Sequence, residues 1–132
     1  MKVFLGGTCN ESSWREELIA QLKIDYYNPV VDDWTPECQA EEVRQRKLCD
    51  FCLYTITPLM TGVYSIAEAV DDSNKRPSKT LFCVLLGDNG KRFTPGQTRS
   101  LMAVSKLIRR NGGRVFITLK ACAAFLNSQG EP

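Results

Sequence analysis

Cys49-Asp50-Phe51-Cys52-Leu53-Tyr54-Thr55-Ile56 is a nearly continuous run of apolar and strand-forming residues. It lacks the polar–apolar alternation of a half-solvated strand. That marks a strand covered on both faces, at the centre of a parallel sheet. Both flanks read as helices. Upstream, Thr35-Pro36 supplies a cap and a proline at the first helical position, opening a polar helix that runs to about residue 47. Downstream, a loop over 57–62 leads into a helix over 63–72, where Val63, Ile66, Ala67 and Val70 are expected to pack on the sheet.

The same alternation extends outward. Toward the amino end, a loop over 30–34 and the stop Asn28-Pro29 follow a strand over 24–27. Before it lies a helix over 14–22, with Trp14, Leu18, Ile19 and Leu22 at helical spacing behind the caps offered by Asn10-Glu11-Ser12-Ser13. The first strand covers 2–6 and ends in Gly6-Gly7. Toward the carboxyl end come a polar turn over 73–79, a buried strand over 80–86 and a loop over 87–93. Thr94-Pro95-Gly96-Gln97 has the form of a capping box. Its helix runs to 110, with Leu101, Val104, Leu107 and Ile108 on the apolar face, and Asn111-Gly112-Gly113 stops it. A fifth strand over 114–118, a helix over 120–127 and a frayed tail over 128–132 complete the chain.

This series predicts an α/β, flavodoxin-like three-layer sandwich with a five-stranded parallel sheet in the order 2-1-3-4-5. At 132 residues the chain is expected to be one domain over 1–132, long enough to bury roughly two-thirds of its unfolded surface. Ligands of such sheets bind where the strand order reverses, here between the first and third strands. The loops over 6–13 and 57–62 border that crevice, and the loop over 28–34 flanks it.

Composition removes several function classes. Seventeen Lys and Arg against fifteen Asp and Glu give a net charge of +2, mixed along the chain, which offers no basic stripe for a nucleic acid polymer. No apolar run approaches a membrane span. The opening residues 1–7 are too short an apolar stretch for a signal peptide, so a cytoplasmic location is expected. The six cysteines read as buried free thiols in a reducing compartment. Cys49 and Cys52 have CxxC spacing, but they lie in a strand pattern and have no further ligands nearby, so neither a redox motif nor zinc is expected. The chain has no histidine. Ser-His, Cys-His and His–metal chemistry are therefore excluded, and any catalysis falls to carboxylates, Tyr, Ser, Lys or Cys. No metal and no cofactor is expected.

Two loops hold the candidate chemistry. Gly6-Gly7-Thr8-Cys9-Asn10-Glu11-Ser12-Ser13 places small residues and hydroxyls at a helix start. It reads equally as an anion cradle or as a tight turn with a cap, and it is neither a GxGxxG fingerprint nor a Walker A loop. In Thr61-Gly62-Val63-Tyr64-Ser65-Ile66-Ala67-Glu68, Glu68 stands among apolar residues one turn after Tyr64, so both point to the same side. Glu68 reads as a surface glutamate or as a carboxylate at the crevice.

On these residues the chain resembles the nucleoside 2-deoxyribosyltransferase superfamily and its deoxynucleotide N-hydrolase relatives. Lys2-Val3-Phe4-Leu5-Gly6-Gly7 is similar to that family's first strand and glycine-bearing loop. Asp50 matches the acid that starts its third strand. Residues 62–69 resemble its G-x-x-x-E segment, whose Glu is the nucleophile. Glu42 stands eight residues before Asp50, where transferases carry an acid at the nucleobase. The chain departs from the family at three points: Gly62 replaces an Asp that holds the sugar hydroxyls, Ala69-Val70 follows Glu68 in place of an apolar residue then Gly, and Phe4 replaces a tyrosine. The topology match covers most of the chain, whereas the specific motif is short.

The resemblance implies cleavage or transfer at the N-glycosidic bond of a nucleoside or nucleotide. It casts Glu68 as nucleophile, Glu42, Asp32 and Asp33 as candidates for the proton donor or the contact to the base, and Tyr64 as a hydrogen-bonding partner of Glu68. Gly6, Gly7, Thr8, Ser12, Asp50, Gly62 and Ser65 are implied around sugar or phosphate, with Ser13 and Arg15 at a 5′-phosphate, and Trp34 and Tyr26 against the base. It further implies a homo-oligomer, with the helix over 94–110 and the segment at Asn111 contributing. Alternatives from other classes are a non-catalytic domain that senses a nucleotide or NAD derivative, an interaction domain with an exposed apolar face, and, less favoured, a flavin carrier.

Overall fold

The computed structural model describes residues 1–9 and 11–131. The cap expected at Asn10 and the end of the tail at Pro132 lie outside them. The elements follow in the order β1 (Lys2–Gly7), α1 (Trp14–Ile19), β2 (Asp25–Tyr27), α2 (Pro36–Leu48), β3 (Phe51–Ile56), α3 (Tyr64–Lys75), β4 (Thr80–Val84), β5 (Gly87–Asp88), β6 (Lys91–Arg92), α4 (Pro95–Asn111), β7 (Arg114–Phe116) and α5 (Leu119–Gly130). A short 3-10 turn over Pro77–Lys79 precedes β4.

Five parallel strands form one sheet in the order β2-β1-β3-β4-β7. This is the expected topology, with β7 as its fifth strand. Alternate side chains of each strand feed two cores. Val3, Leu5, Leu53, Leu81 and Cys83 pack with Trp14 and Leu18 of α1 and Cys122, Ala123 and Leu126 of α5. Phe4, Cys52, Tyr54, Ile56, Phe82 and Val84 pack on the other face with Ala69 of α3 and Leu101 and Ile108 of α4.

The element ends depart from expectation for local reasons. Helix α1 stops at Ile19 because its last turn tightens: Gln21 N donates to Leu18 O and Leu22 N to Ile19 O, both three residues back. Strand β3 starts at Phe51 because Cys49 N closes α2 on Gln45 O. Strand β7 ends at Phe116, since Thr118 caps α5 and accepts from Ala121 N. Helix α5 runs to Gly130, so residues 128–130 are helical and not frayed. The loop over 87–93 contains an antiparallel hairpin, β5–β6, turning through Asn89 (φ 48°) and Gly90 (φ 80°).

The inward face of α3 also differs. Ala69 is buried and Ile66 and Val70 pack against the core, while Val63 and Ala67 are exposed. Residue 63 is the cap position and not yet part of the helix, so it stands clear of the sheet. All six cysteines are free. Cys49, Cys52, Cys83 and Cys122 are buried, but Cys9 is exposed and Cys38 half-buried, because both lie in or beside loops rather than strands.

Candidate active site

The reversal of strand order between β1 and β3 opens a cavity of about 310 Å³ at the carboxyl ends of these strands. Its floor is the end of β1. Gly7 sits at φ +116°, and a Cβ there would lie 2.1 Å from the Thr55 carbonyl oxygen, so only glycine fits. Thr8 is tied twice to the neighbouring strand: its N–H donates to Thr55 O at 2.8 Å, and its Oγ1 accepts from Thr57 N at 2.9 Å.

Beneath this turn lies Arg15, 4% exposed, on α1. Its Nε donates to Leu5 O at 3.0 Å, Nη1 to Thr8 O at 2.6 Å and Nη2 to Gly7 O at 3.4 Å. The guanidinium also lies 4.5 Å from the centre of the Trp14 ring, whose Nε1 donates to Thr8 O. Burial lowers the Arg15 pKa, while Cys9, Glu16 and Glu42 favour its charge. Arg15 lines the cavity and has no carboxylate within ion-pair distance among the described residues.

Two acids reach the cavity from different helices. Glu42 comes from α2 and Glu68 from α3, and both line the cavity. The Glu68 side chain is 21% exposed, and its Oε2 lies 3.2 Å from Arg46 Nη1. Burial pushes its carboxyl pKa up, Arg46 pulls it down, and Asp72 and Glu42 push it further up, with a net rise. Burial likewise raises Glu42, opposed by Arg15.

Arg46 belongs to a buried network behind Glu68. Its Nε donates to Tyr54 Oη at 3.0 Å and its Nη2 to Asp72 Oδ1 at 2.9 Å. Asp72, 1% exposed, also accepts from Tyr54 Oη and Arg76 Nη2. Burial alone opposes the charge on Arg46, but Tyr54, Asp72 and Glu68 outweigh it and its pKa is raised.

The cavity thus gathers Gly6, Gly7, Thr8, Glu42, Gly62, Tyr64, Ser65 and Glu68 from the residues singled out in the sequence, together with Arg15. It also takes in Phe4, Cys9, Pro29, Met60 and Thr61. The other candidates lie elsewhere. Asp50 sits at the amino end of β3, the opposite edge of the sheet, where its Oδ2 accepts from Lys2 N at 2.8 Å. The Ser12 hydroxyl donates to Asp88 Oδ2 at 2.6 Å, which ties it to the β5–β6 hairpin. Ser13 takes the cap position of α1 without a side-chain capping bond and is not part of the lining. Asp32, Asp33 and Trp34 are exposed in the β2–α2 segment, Trp34 at 60%, and Tyr26 is exposed on β2; none lines the cavity. Tyr64 lines the rim but is 75% exposed, and the polar partner of Glu68 is Arg46 rather than Tyr64. Arg46 escaped sequence reading, although it follows Glu42 at the i,i+4 spacing that puts both on one face of α2.

Fold and cavity together define a doubly wound α/β protein whose switch-point cavity is lined by two acids and a glycine turn. A family model described as nucleoside 2-deoxyribosyltransferase like matches residues 1–85, and the chain belongs to that family. Every residue lining the cavity falls inside the matched segment. Membership points to nucleoside deoxyribosyltransferase-like glycosyl transfer, with a nucleoside small molecule as substrate. No curated protein and no solved structure matches the chain. No helix among the described residues is long and apolar enough to cross a membrane.

Proposed function

We propose that this protein cleaves or transfers the N-glycosidic bond of a nucleoside or nucleotide, with Glu68 as the nucleophile. The observation that carries the reading is the position of Glu68, which is drawn out of bulk water into the cavity that also holds the Gly6-Gly7 turn and a second acid, Glu42. Retaining glycosidic chemistry needs such a pair. A Glu68 oxygen bonds to the anomeric carbon as the carbon–nitrogen bond breaks, and the electron pair leaves with the base. Glu42, raised by burial, is suited to donate the proton that makes the base a good leaving group. Water or an acceptor base then attacks the glycosyl-enzyme, and the Glu42 carboxylate takes up its proton. Thr8, Ser65 and Arg15 line the same cavity, which supports them as contacts for sugar or phosphate oxygens.

Incubation with a panel of nucleosides and nucleotides, followed chromatographically for free base, tests this. Adding a second base distinguishes transfer from hydrolysis. Base release is expected from the parent and is lost in a folded Glu68→Gln variant. Full activity in that variant removes the mechanism. One observation favours a second reading, a non-catalytic sensor of nucleotides or NAD derivatives. At Gly62, where the resemblance implies a sugar-binding acid, an added Cβ would meet nothing within 4 Å. A thermal shift with a nucleotide or with NAD, without base release, would favour the sensor.

A further inference from the structure

We propose that Arg46 is a positioning residue for Glu68: its guanidinium, anchored at Asp72 and Tyr54, grips Glu68 Oε2 and presents the other carboxylate oxygen to the cavity. This rests on the reading of Glu68 as nucleophile and extends it to a residue outside the cavity lining.

The geometry is specific. Each nitrogen of Arg46 faces a different oxygen: Nε donates to the Tyr54 hydroxyl at 3.0 Å, Nη2 donates to Asp72 Oδ1 at 2.9 Å, and Nη1 forms an ion pair with Glu68 Oε2 at 3.2 Å. Two of the three partners are core groups that do not border the cavity. The planar fork is therefore fixed from behind, and its third arm has one direction left. Among the described residues, Arg46 is the one cation within ion-pair distance of Glu68.

The groups around Glu68 define what Arg46 offsets. From α2 come Arg46 and Glu42, and from α3 come Asp72 and, 3.9 Å from Arg46, Asp71. Tyr54 of β3 and Arg76 complete the anchor at Asp72, and Arg15 of α1 acts on Glu42 from the far side. Without Arg46, Glu68 is a partly buried acid beside two other acids, and the one influence that lowers its pKa is gone. Arg46 also bears on the second chemical step. Bonding of Glu68 to the anomeric carbon neutralises the carboxylate and removes the anion at the Nη1 corner of Arg46, leaving Asp72 and Asp71 at Nη2. When water or a base displaces the sugar, the electron pair of the breaking carbon–oxygen bond returns to Glu68 and the ion pair is restored. The guanidinium thus favours departure of Glu68 from the sugar.

The test compares Arg46→Gln, Arg46→Lys and Arg44→Gln, using the nucleoside or nucleotide from which the parent releases base. In Arg46→Gln the acid limb of the kcat/KM profile is expected to move up by about one pH unit or more. Base release is expected to become a burst followed by a slow steady state. Arg46→Lys recovers part of the limb. Arg44→Gln, which removes a cation of α2 paired with Glu41 and outside the network at Glu68, leaves the limb in place. The titration of the Glu68 carboxyl, followed by carbon-13 NMR and assigned with Glu68→Gln, reads the same effect without turnover and is expected at higher pH in Arg46→Gln. If Arg46→Gln does not fold, Arg46→Lys against Arg44→Gln carries the comparison. An unmoved Glu68 titration in the Arg46 variants, or an equal shift in Arg44→Gln, overturns the proposal. Base release that survives in Glu68→Gln instead overturns the nucleophile reading itself.

Discussion

Substituting Gly7 by alanine offers a sharp test of how the floor of the cavity is built. At φ +116° a non-glycine residue is strained, by about 1–3 kcal/mol. The added methyl would lie 2.1 Å from Thr55 O and 2.5 Å from Thr55 N. Both are backbone atoms, so no rotamer change relieves the clash, and β1 and β3 must part where Gly7 pairs with Thr55. Overpacking of this kind costs about 1–3 kcal/mol. Parting the strands also strains the bond from Thr8 N to Thr55 O, worth about 1 kcal/mol. The expected loss is about 3–7 kcal/mol, against a total stability of about 5–15 kcal/mol for a domain. Urea unfolding followed by the fluorescence of the buried Trp14 is the assay, with the midpoint expected to fall by about 2 M or more. Gly62→Ala is the control, because its Cβ has open space, and it should stay within about 0.5 kcal/mol of the parent. A Gly7→Ala midpoint within about 0.5 M of the parent would refute the argument.

Three further outcomes follow from the same contacts. Thr8→Val keeps the volume but strands the Thr57 N–H, which should cost about 1–3 kcal/mol in thermal unfolding, while Thr8→Ser keeps the acceptor and most of the stability. Thr94→Ala removes a capping box in which Thr94 Oγ1 accepts from Gln97 N and Gln97 Oε1 accepts from Thr94 N; a loss of about 0.5–2 kcal/mol is expected by urea titration. Glu42 is raised above the ordinary glutamate value of 4.5, so the folded state holds its proton more tightly than the unfolded chain does, and stability falls as pH rises from that value through the folded pKa. Glu42→Gln lacks this loss and should gain on the parent between pH 4 and pH 7; a constant difference across that range would contradict the burial argument.

What the sequence made legible followed local chemistry. The strand order, the Thr35-Pro36 start of α2 and the Thr94 capping box rest on short-range signals, and all three are present. The β5–β6 hairpin carried its own signal, Asn89-Gly90, but without the flanking apolar alternation that makes such a turn persuasive. The gathering of Glu42, Glu68 and the glycine turn followed from topology, because parallel strands bring their following loops to one edge. Trp34, Asp32 and Asp33 could not be placed the same way: the direction of the β2–α2 segment beyond Pro29 is a matter of tertiary packing. Arg46 stayed hidden for a similar reason. Its partners Tyr54 and Asp72 lie 8 and 26 residues away, and a polar helix gives no periodic sign of which charge turns inward.

The carbonyl clamp formed by Arg15 has one more consequence. Leu5, Gly7 and Thr8 are already held by a buried cation, so an incoming ligand finds that wall of its site assembled in advance. Little conformational freedom remains there to be lost on association. The entropic cost of complex formation therefore falls mainly on the ligand and on the opposite wall around Pro29 and Tyr64, and selectivity among related ligands is set on that side.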